Sequence, residues 1–326
     1  MKDIESIPKL TLGILPTPLY RLDNISKIIG KNIFIKRDDM TGVAFGGNKV
    51  RKLEYLLYDA MIQGYNTIIT TGAAQSNHAM ITAACCKRLG LDVVLVLKQR
   101  GVTDKKGNLL LNDLMGVRVI FVDSDTFTDV YTKIDSVADE LRQAGKKPYI
   151  IPVGASVPLG SLGYVNCVKE MMKQAAAQQL HIDHIVCCDG SGGTHAGIAL
   201  GAGIYSSNTK VTGIVVSPEN NFQGRVYKMI EGICEIMGIN NDMPFDNVVM
   251  KDYVGPGYAL PSEAGIAAMR LMAENEGIFL DPVYTGKTFA GLIDLSSKGY
   301  FKDDENIVFM HSGGGASLFA VPIDLK

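Results

Sequence analysis

Asn32-Ile33-Phe34-Ile35-Lys36-Arg37-Asp38-Asp39 leads, a few residues later, into Gly46-Gly47-Asn48-Lys49-Val50-Arg51-Lys52-Leu53-Glu54. The first run is apolar and β-branched and ends in charge, the signature of a buried strand. The second opens a helix, because apolar residues recur at 50, 53, 56, 57, 60 and 61 with the spacing of one helical face. Between them the glycines and Asn48 tolerate positive φ and close backbone approach. A lysine at such a junction sits near the positive end of a helix, which lowers an ammonium pKa. That environment suits a nucleophilic lysine that must lose its proton. The same local pattern also describes a capped helix with a solvated lysine, so the rest of the chain has to decide.

Outward from this stretch the strand–helix alternation continues. Thr67–Thr71, Asp92–Leu97, Val117–Val122, Pro148–Pro152, His184–Cys188, Val211–Val216 and Asn306–Met310 read as short strands. Helices are expected at His78–Leu89, 109–115, Phe127–Gln143, Ser161–Gln178, Asn221–Met237, Pro261–Glu276 and Lys287–Lys298. Residues 16–22 read as an extended entry segment, and 101–108 and 238–260 as loops. Short strands alternating with helices of about 10–15 residues indicate parallel βαβ units. At 326 residues the chain suits two α/β halves with a cleft between them.

Composition excludes several function classes. A net charge of −2 leaves no electrostatic footprint for nucleic acid or an anionic membrane. No apolar run approaches the ~20 residues needed to span a bilayer, and the N-terminus carries no signal-peptide core. A cytoplasmic location is therefore expected. The six cysteines form no C-x-x-C pair and read as small buried hydrophobes of a reducing compartment. His181-x-Asp183-His184 has the spacing of a solvated approach to a strand, and no metal is expected.

The motifs point to small-molecule chemistry. Gly190-Ser191-Gly192-Gly193-Thr194-His195-Ala196-Gly197 follows a strand and opens a helix, so converging N–H groups, two hydroxyls and a helix N-terminus suit a phosphate. A tight turn of small residues is the plainer alternative. It is not a Walker A loop, because no Lys-Ser/Thr pair follows the last glycine. Ser76-Asn77-His78 is either an ordinary helix N-cap or a nest for a substrate carboxylate. Tyr258 and Tyr284 stand in glycine- and proline-rich loops. Glu54 and Asp59 are expected to be solvated, and His195 and His311 to pack or hydrogen-bond within loops.

Taken together, Thr17-Pro18-Leu19, Ile35-Lys36-Arg37-Asp38-Asp39, Gly46–Glu54, Gln75-Ser76-Asn77-His78, Gly190–Gly197, Gly255-Pro256-Gly257-Tyr258, Asp281-Pro282-Val283-Tyr284-Thr285-Gly286-Lys287 and His311-Ser312-Gly313-Gly314 run in order over nearly the whole chain. In this the chain resembles pyridoxal-phosphate enzymes of the tryptophan-synthase-β-like fold, within them the D-cysteine desulfhydrase and 1-aminocyclopropane-1-carboxylate deaminase group. The resemblance implies two three-layer α/β domains with largely parallel sheets and pyridoxal 5'-phosphate in the cleft (fold type II). It divides the chain into a larger cofactor-binding domain, 1–48 plus 152–326, and a smaller domain, 49–151, closing over the substrate. It implies Lys49 as the Schiff-base lysine, with Asn48, Asn77, the turn Gly190, Ser191, Gly192, Gly193 and Thr194, and Ser312 around the cofactor. Ser76, Asn77, His78, Tyr258 and Tyr284 would line the substrate side, with Ser76 and the tyrosines as candidate acid/base groups. A homodimer acting on a small amino acid is expected by the same likeness, with D-cysteine first and L-cysteate or aminocyclopropanecarboxylate as alternatives. A rival of another class is a non-enzymatic anion- or nucleotide-binding protein that keeps the glycine loops alone. Two departures bear on substrate. Deaminases of this group carry glutamate where this chain has Thr285, and many desulfhydrase-like members carry arginine where it has Met80.

Overall fold

The computed structural model describes residues 2–99, 104–124, 126–218, 222–240, 247–250 and 253–323. In chain order its elements are β1 (Leu19–Arg21), α1 (Asp23–Ile29), β2 (Asn32–Lys36), α2 (Lys49–Ile62), β3 (Thr67–Ala73), α3 (Asn77–Leu89), β4 (Asp92–Lys98), α4 (Gly107–Leu114), β5 (Arg118–Val122) and α5 (Phe127–Gln143). There follow β6 (Pro148–Ile151), α6 (Pro158–Ala177), β7 (His184–Asp189), α7 (Gly193–Tyr205), β8 (Lys210–Val215), α8 (Phe222–Met237), β9 (Asn247–Met250), α9 (Glu263–Glu276), α10 (Thr285–Ser297) and β10 (Asn306–Met310).

The strands form two sheets, one ordered β1-β2-β10-β7-β8-β9 and one ordered β5-β4-β3-β6. All pairings are parallel except β1 with β2. Parallel strands buried on both faces read as continuous apolar runs, and β10 (Asn306-Ile307-Val308-Phe309-Met310) is buried from 307 to 310. Helices cover both faces of each sheet, so the α/β architecture with largely parallel sheets is as expected. Among the described residues no helix is long and apolar enough to cross a membrane.

Several expectations need correction. The entry segment ends in a strand, β1, whose antiparallel pairing with β2 closes the sheet edge. Helix α1 was not anticipated; seven residues is too short a window for helical periodicity to emerge. Helix α6 begins three residues early, with Pro158 in its first turn, where a missing N–H costs nothing. Helix α4 starts at Gly107 rather than 109. Within 238–260, read as irregular, Asn247–Met250 pairs parallel to β8. Residues 101–103 of the expected loop, Asn221 of the expected helix, and 241–246 and 251–252 lie outside the described residues.

Glu54 is not solvated. It is 1% exposed, pairs with Lys9 at 2.5 Å and accepts the N–H groups of Leu12 and Gly13. Asp59 is half-buried and accepts from Tyr149 Oη at 2.8 Å. Burial of α2 on both sides explains both: it packs against α6 and α3, so even its polar residues meet protein.

A buried ionic network fixes where α2 begins. Arg51 donates to both oxygens of Asp38 at 2.8 and 2.9 Å and to Glu170 at 2.9 Å. Lys36 donates to Glu170 at 2.5 Å and to the Thr17 carbonyl at 2.7 Å. Tyr164 and Thr17 hydroxyls complete the shell around Asp38 at 2.6 and 2.8 Å. Burial alone would raise Asp38, but Arg51 and Lys36 hold its carboxyl below the ordinary range. Each charge in the network is answered by hydrogen bonds, the condition under which buried ions are tolerated.

Candidate active site

Between the two sheets lies a cavity of about 750 Å³. Residues at or just past the C-terminal ends of β3, β4, β7, β8 and β10 line it, where parallel sheets place ligand sites. Lys49, first residue of α2, lines it. The turn before it is anchored on the opposite sheet: Gly47 bridges Gly313, and Asn48 N–H donates to the Ser312 carbonyl at 3.0 Å. Gly46 has φ +73°, and a Cβ there would lie 1.7 Å from the Asp39 carbonyl oxygen, so only glycine can make the turn. Burial drives the Lys49 ammonium pKa down to about 8, against a weaker opposing pull from Cys188. Lys49 is therefore not the solvated lysine of the plainer reading.

The second glycine turn faces it. Asn48 Nδ2 donates to Thr194 Oγ1 at 3.0 Å, so the two strand–helix junctions touch. Gly190, Ser191, Gly192 and Thr194 line the cavity, and Gly193 opens α7. Ser191 Oγ lies 2.6 Å from Ser156 Oγ, and Lys52 Nζ donates to Ser156 Oγ and the Gly154 carbonyl at 3.1 and 3.2 Å. A Cβ on Gly193 would meet Lys52 Nζ, Ser156 Oγ and Ser161 Oγ at 2.7, 2.8 and 2.9 Å. Burial, then repulsion from Lys49, pulls Lys52 well below its ordinary pKa, and Asp189 opposes this. A cradle of hydroxyls, helix N–H groups and a buried amine short of counter-charge fits a phosphate dianion. Sequence reasoning missed Lys52 and Ser156. Lys52 was within reach of it, because i and i+3 share a helix face.

Ser76 and Asn77 stand at the start of α3. Ser76 is both cavity wall and N-cap, accepting from Ala79 N–H at 3.2 Å. Asn77 Oδ1 accepts from Asn108 Nδ2 at 2.7 Å, which turns the Asn77 amide N–H group the other way, toward Gly314. Asn108, in the stretch read as loop, is the positioning residue here. His78 reaches the cavity, but its ring nitrogens face Thr70 Oγ1 at 2.8 Å and Thr82 Oγ1 at 3.4 Å. Burial and the two lysines keep it neutral.

Tyr258 and Tyr284 converge on the cavity with their hydroxyls 2.6 Å apart. Burial and Tyr258 push the Tyr284 phenol far above its ordinary pKa, so it stays protonated. Ser312 lines the cavity; Thr285 is fully buried, donating to Asp281 Oδ1 at 2.7 Å. Asp281 also accepts the N–H groups of Val283, Tyr284 and Thr285, capping α10. Among the described lining residues there is no Asp or Glu, whereas Lys98 and Arg225 are present. Met80, in contrast, packs in the apolar core of the four-stranded sheet and does not reach the cavity; it does not touch the carboxylate nest as its position two residues after His78 suggested. The next-but-one helix position simply faces away from the one before it. His181 pairs with Asp183 and His184 with Glu305. The cysteines are unbridged; Cys188 lines the cavity and the others are buried.

Residues 10–313 match a family described as pyridoxal-phosphate dependent enzyme. A D-cysteine desulfhydrase of Yersinia enterocolitica is 40% identical over 323 residues, covering 97% of each chain. A protein of Pyrococcus abyssi provisionally named 1-aminocyclopropane-1-carboxylate deaminase is 41% identical over 317 residues, 97% of this chain and 94% of that one. A crystal structure described as an ACC deaminase homologue superposes with a TM-score of 0.90 at 39% identity, over 97% of this chain and 95% of its own. The chain belongs to the pyridoxal-phosphate dependent enzyme family, in its D-cysteine desulfhydrase and aminocyclopropanecarboxylate deaminase branch, and its cofactor is pyridoxal phosphate.

Proposed function

We propose that this member of the pyridoxal-phosphate dependent enzymes eliminates the β-substituent of a small amino acid, D-cysteine foremost, consuming water and releasing pyruvate, ammonia and hydrogen sulfide. One observation carries the reading: Ser312 offers a hydroxyl to a cavity whose described lining holds no Asp or Glu, so no carboxylate is at hand to keep the cofactor's ring nitrogen protonated. Opening an unactivated cyclopropane calls for that stronger electron sink, and expulsion of a thiolate does not.

When bound, pyridoxal phosphate supplies the electron sink for charge developed at the substrate's Cα. In this reading Lys49 would be the residue that holds the cofactor through its aldehyde group. Lys49, whose pKa burial lowers to about 8 so that free amine is accessible close to neutral pH, would serve as the base for the substrate's α-proton. Ser76 Oγ and the N–H groups opening α3 hold the carboxylate. Asn77, its amide oriented by Asn108, would offer its Nδ2 to the cofactor's phenolic oxygen. Tyr284, kept protonated by burial and Tyr258, gives a proton to the departing sulfur through the 2.6 Å hydroxyl pair. Residues 190–194 with Lys52 and Ser156 would hold the phosphate.

A second reading, release of sulfite from cysteate, is favoured by Lys98 and Arg225 in a wall with no carboxylate among the described residues. The test is pyruvate release from D-cysteine, L-cysteine, both β-chloroalanines, L-cysteate and aminocyclopropanecarboxylate. Turnover of D-cysteine with inertness toward the cyclopropane is expected. Robust ring opening by the wild type would overturn the elimination reading, and sulfite from cysteate alone would select the second. A colourless protein that no cofactor reconstitutes would return the chain to the class of anion-binding proteins.

A further inference from the structure

His195 is not used by the chemistry above, and neither is Asp189. Asp189 ends β7 and His195 is the third residue of α7, so they stand on either side of the Gly190–Thr194 turn. Both side chains are 0% exposed, with His195 Nδ1 and Asp189 Oδ2 3.0 Å apart. The other oxygen of Asp189 and Nε2 of His195 have no hydrogen-bond partner. A buried ionisable pair so sparsely satisfied is a poor way to fill a core. Neither residue reaches the cavity wall, so neither can touch the reacting atoms. The backbone of Asp189 is held by its pairing to Val215 and by Val216 N–H at 3.1 Å. The His195 ring lies flat against Gly213 of β8: a Cβ there would come within 2.4 Å of Cε1 and 2.5 Å of Nδ1.

We infer that Asp189 and His195 form a clasp closing the base of the phosphate turn, and that with Gly213 behind the ring they act as positioning residues that set cofactor affinity. The bond across the two ends of the turn holds the N–H groups of Gly192, Gly193 and Thr194 in convergence before the phosphate arrives, removing part of the ordering cost of binding. Asp189 adds attraction toward the Lys52 amine on the opposite side of the cradle. The inference rests on the reading of 190–194 as the phosphate turn and is independent of which amino acid is processed.

The test is titration of apoprotein with pyridoxal phosphate, read by absorbance and by the 31P resonance of the bound phosphate. His195→Ala is expected to raise the dissociation constant about tenfold, with kcat at saturating cofactor within about twofold of wild type. His195→Asn, whose Nδ2 occupies the place of Nδ1, should restore most of the affinity. Gly213→Ala, which touches neither the turn nor the cofactor, should weaken binding as His195→Ala does. Gly193→Ala serves as the control on the turn itself. Loss of affinity in Gly193→Ala with wild-type binding in His195→Ala and Gly213→Ala overturns the clasp. Unchanged binding in Gly193→Ala overturns the phosphate-turn reading instead. Should His195→Ala fail to fold, the other pair decides: binding weakened in Gly213→Ala and kept in His195→Asn supports the clasp, and equal behaviour of the two overturns it.

Discussion

The junctions at Gly46–Lys49 and Gly190–Thr194 share one local grammar, a buried strand, a glycine turn and a helix start, and they touch through Asn48 and Thr194. Their electrostatic tasks are opposite. The first delivers a lysine side chain into the positive field of a helix N-terminus, and burial lowers its pKa to about 8. The second leaves the helix N-terminus bare, with no side chain at 192 or 193, so that the same field can meet an anion. What separates them is the scaffold. The first is bolted down by the Asp38–Arg51–Glu170 network. The second is braced by one buried Asp–His pair and a glycine on the neighbouring strand. On the proposed reading, identical backbone logic yields a nucleophile in one place and an anion receptor in the other, because the residue at the helix start and the charges behind it differ.

The comparison breaks most directly at Lys49. Lys49→Ala should lower turnover by about 10⁴-fold and abolish the hydride-reducible visible absorbance, while the phosphate turn still binds the cofactor reversibly. Retained absorbance would mean that another amine holds the aldehyde. Next in size is the support of the first junction. Arg51→Met leaves Asp38 and Glu170 buried without their partner and should cost about 3–5 kcal/mol in chemical denaturation; a loss under 1 kcal/mol would show that the network does not anchor α2. Lys52→Met sharpens the second junction, with cofactor binding about 10–100-fold weaker, the worth of charge-assisted hydrogen bonds, and a much smaller effect on kcat at saturation.

The smallest effect is one of pH. A lysine whose pKa is lowered to about 8 is ammonium below that pH and free amine above it. The rate at which apoprotein captures the cofactor should therefore climb with pH through about 8 and then level off. An inflection near 10 in a stopped-flow pH series would describe a solvated lysine and remove the contrast between the two junctions.

Much of this was legible in the residues. The strands were readable because both faces of a parallel sheet are buried, so each strand becomes an uninterrupted apolar run between turn residues. Lys49, Ser76, Asn77, the 190–194 turn, Tyr258, Tyr284 and Ser312 were readable as candidates because glycines and short polar residues cluster at strand ends, and all but Gly193 line the cavity. Lys52, Ser156, Asn108 and Asp281 were not singled out for the site. A lysine inside an amphipathic helix looks like any surface lysine until the helix is buried on both sides, and Glu54 misled for the same reason. Asp281 stood out only as the first residue of a stretch shared with the family, whereas the structure makes it the cap of α10.

By itself the sequence determined the alternation of strands and helices, the glycine turns at the strand ends and the kinds of group available to the chemistry, since these follow from local periodicity and side-chain type. Only the tertiary structure decided which of those groups share one cavity. It brought Lys49 opposite Thr194, set the tyrosine hydroxyls 2.6 Å apart, turned Met80 into the core and buried Asp189 against His195. Burial, which lowers the lysines and raises the phenol, is a property of what lies across a cleft, and residues far apart in the chain supply it.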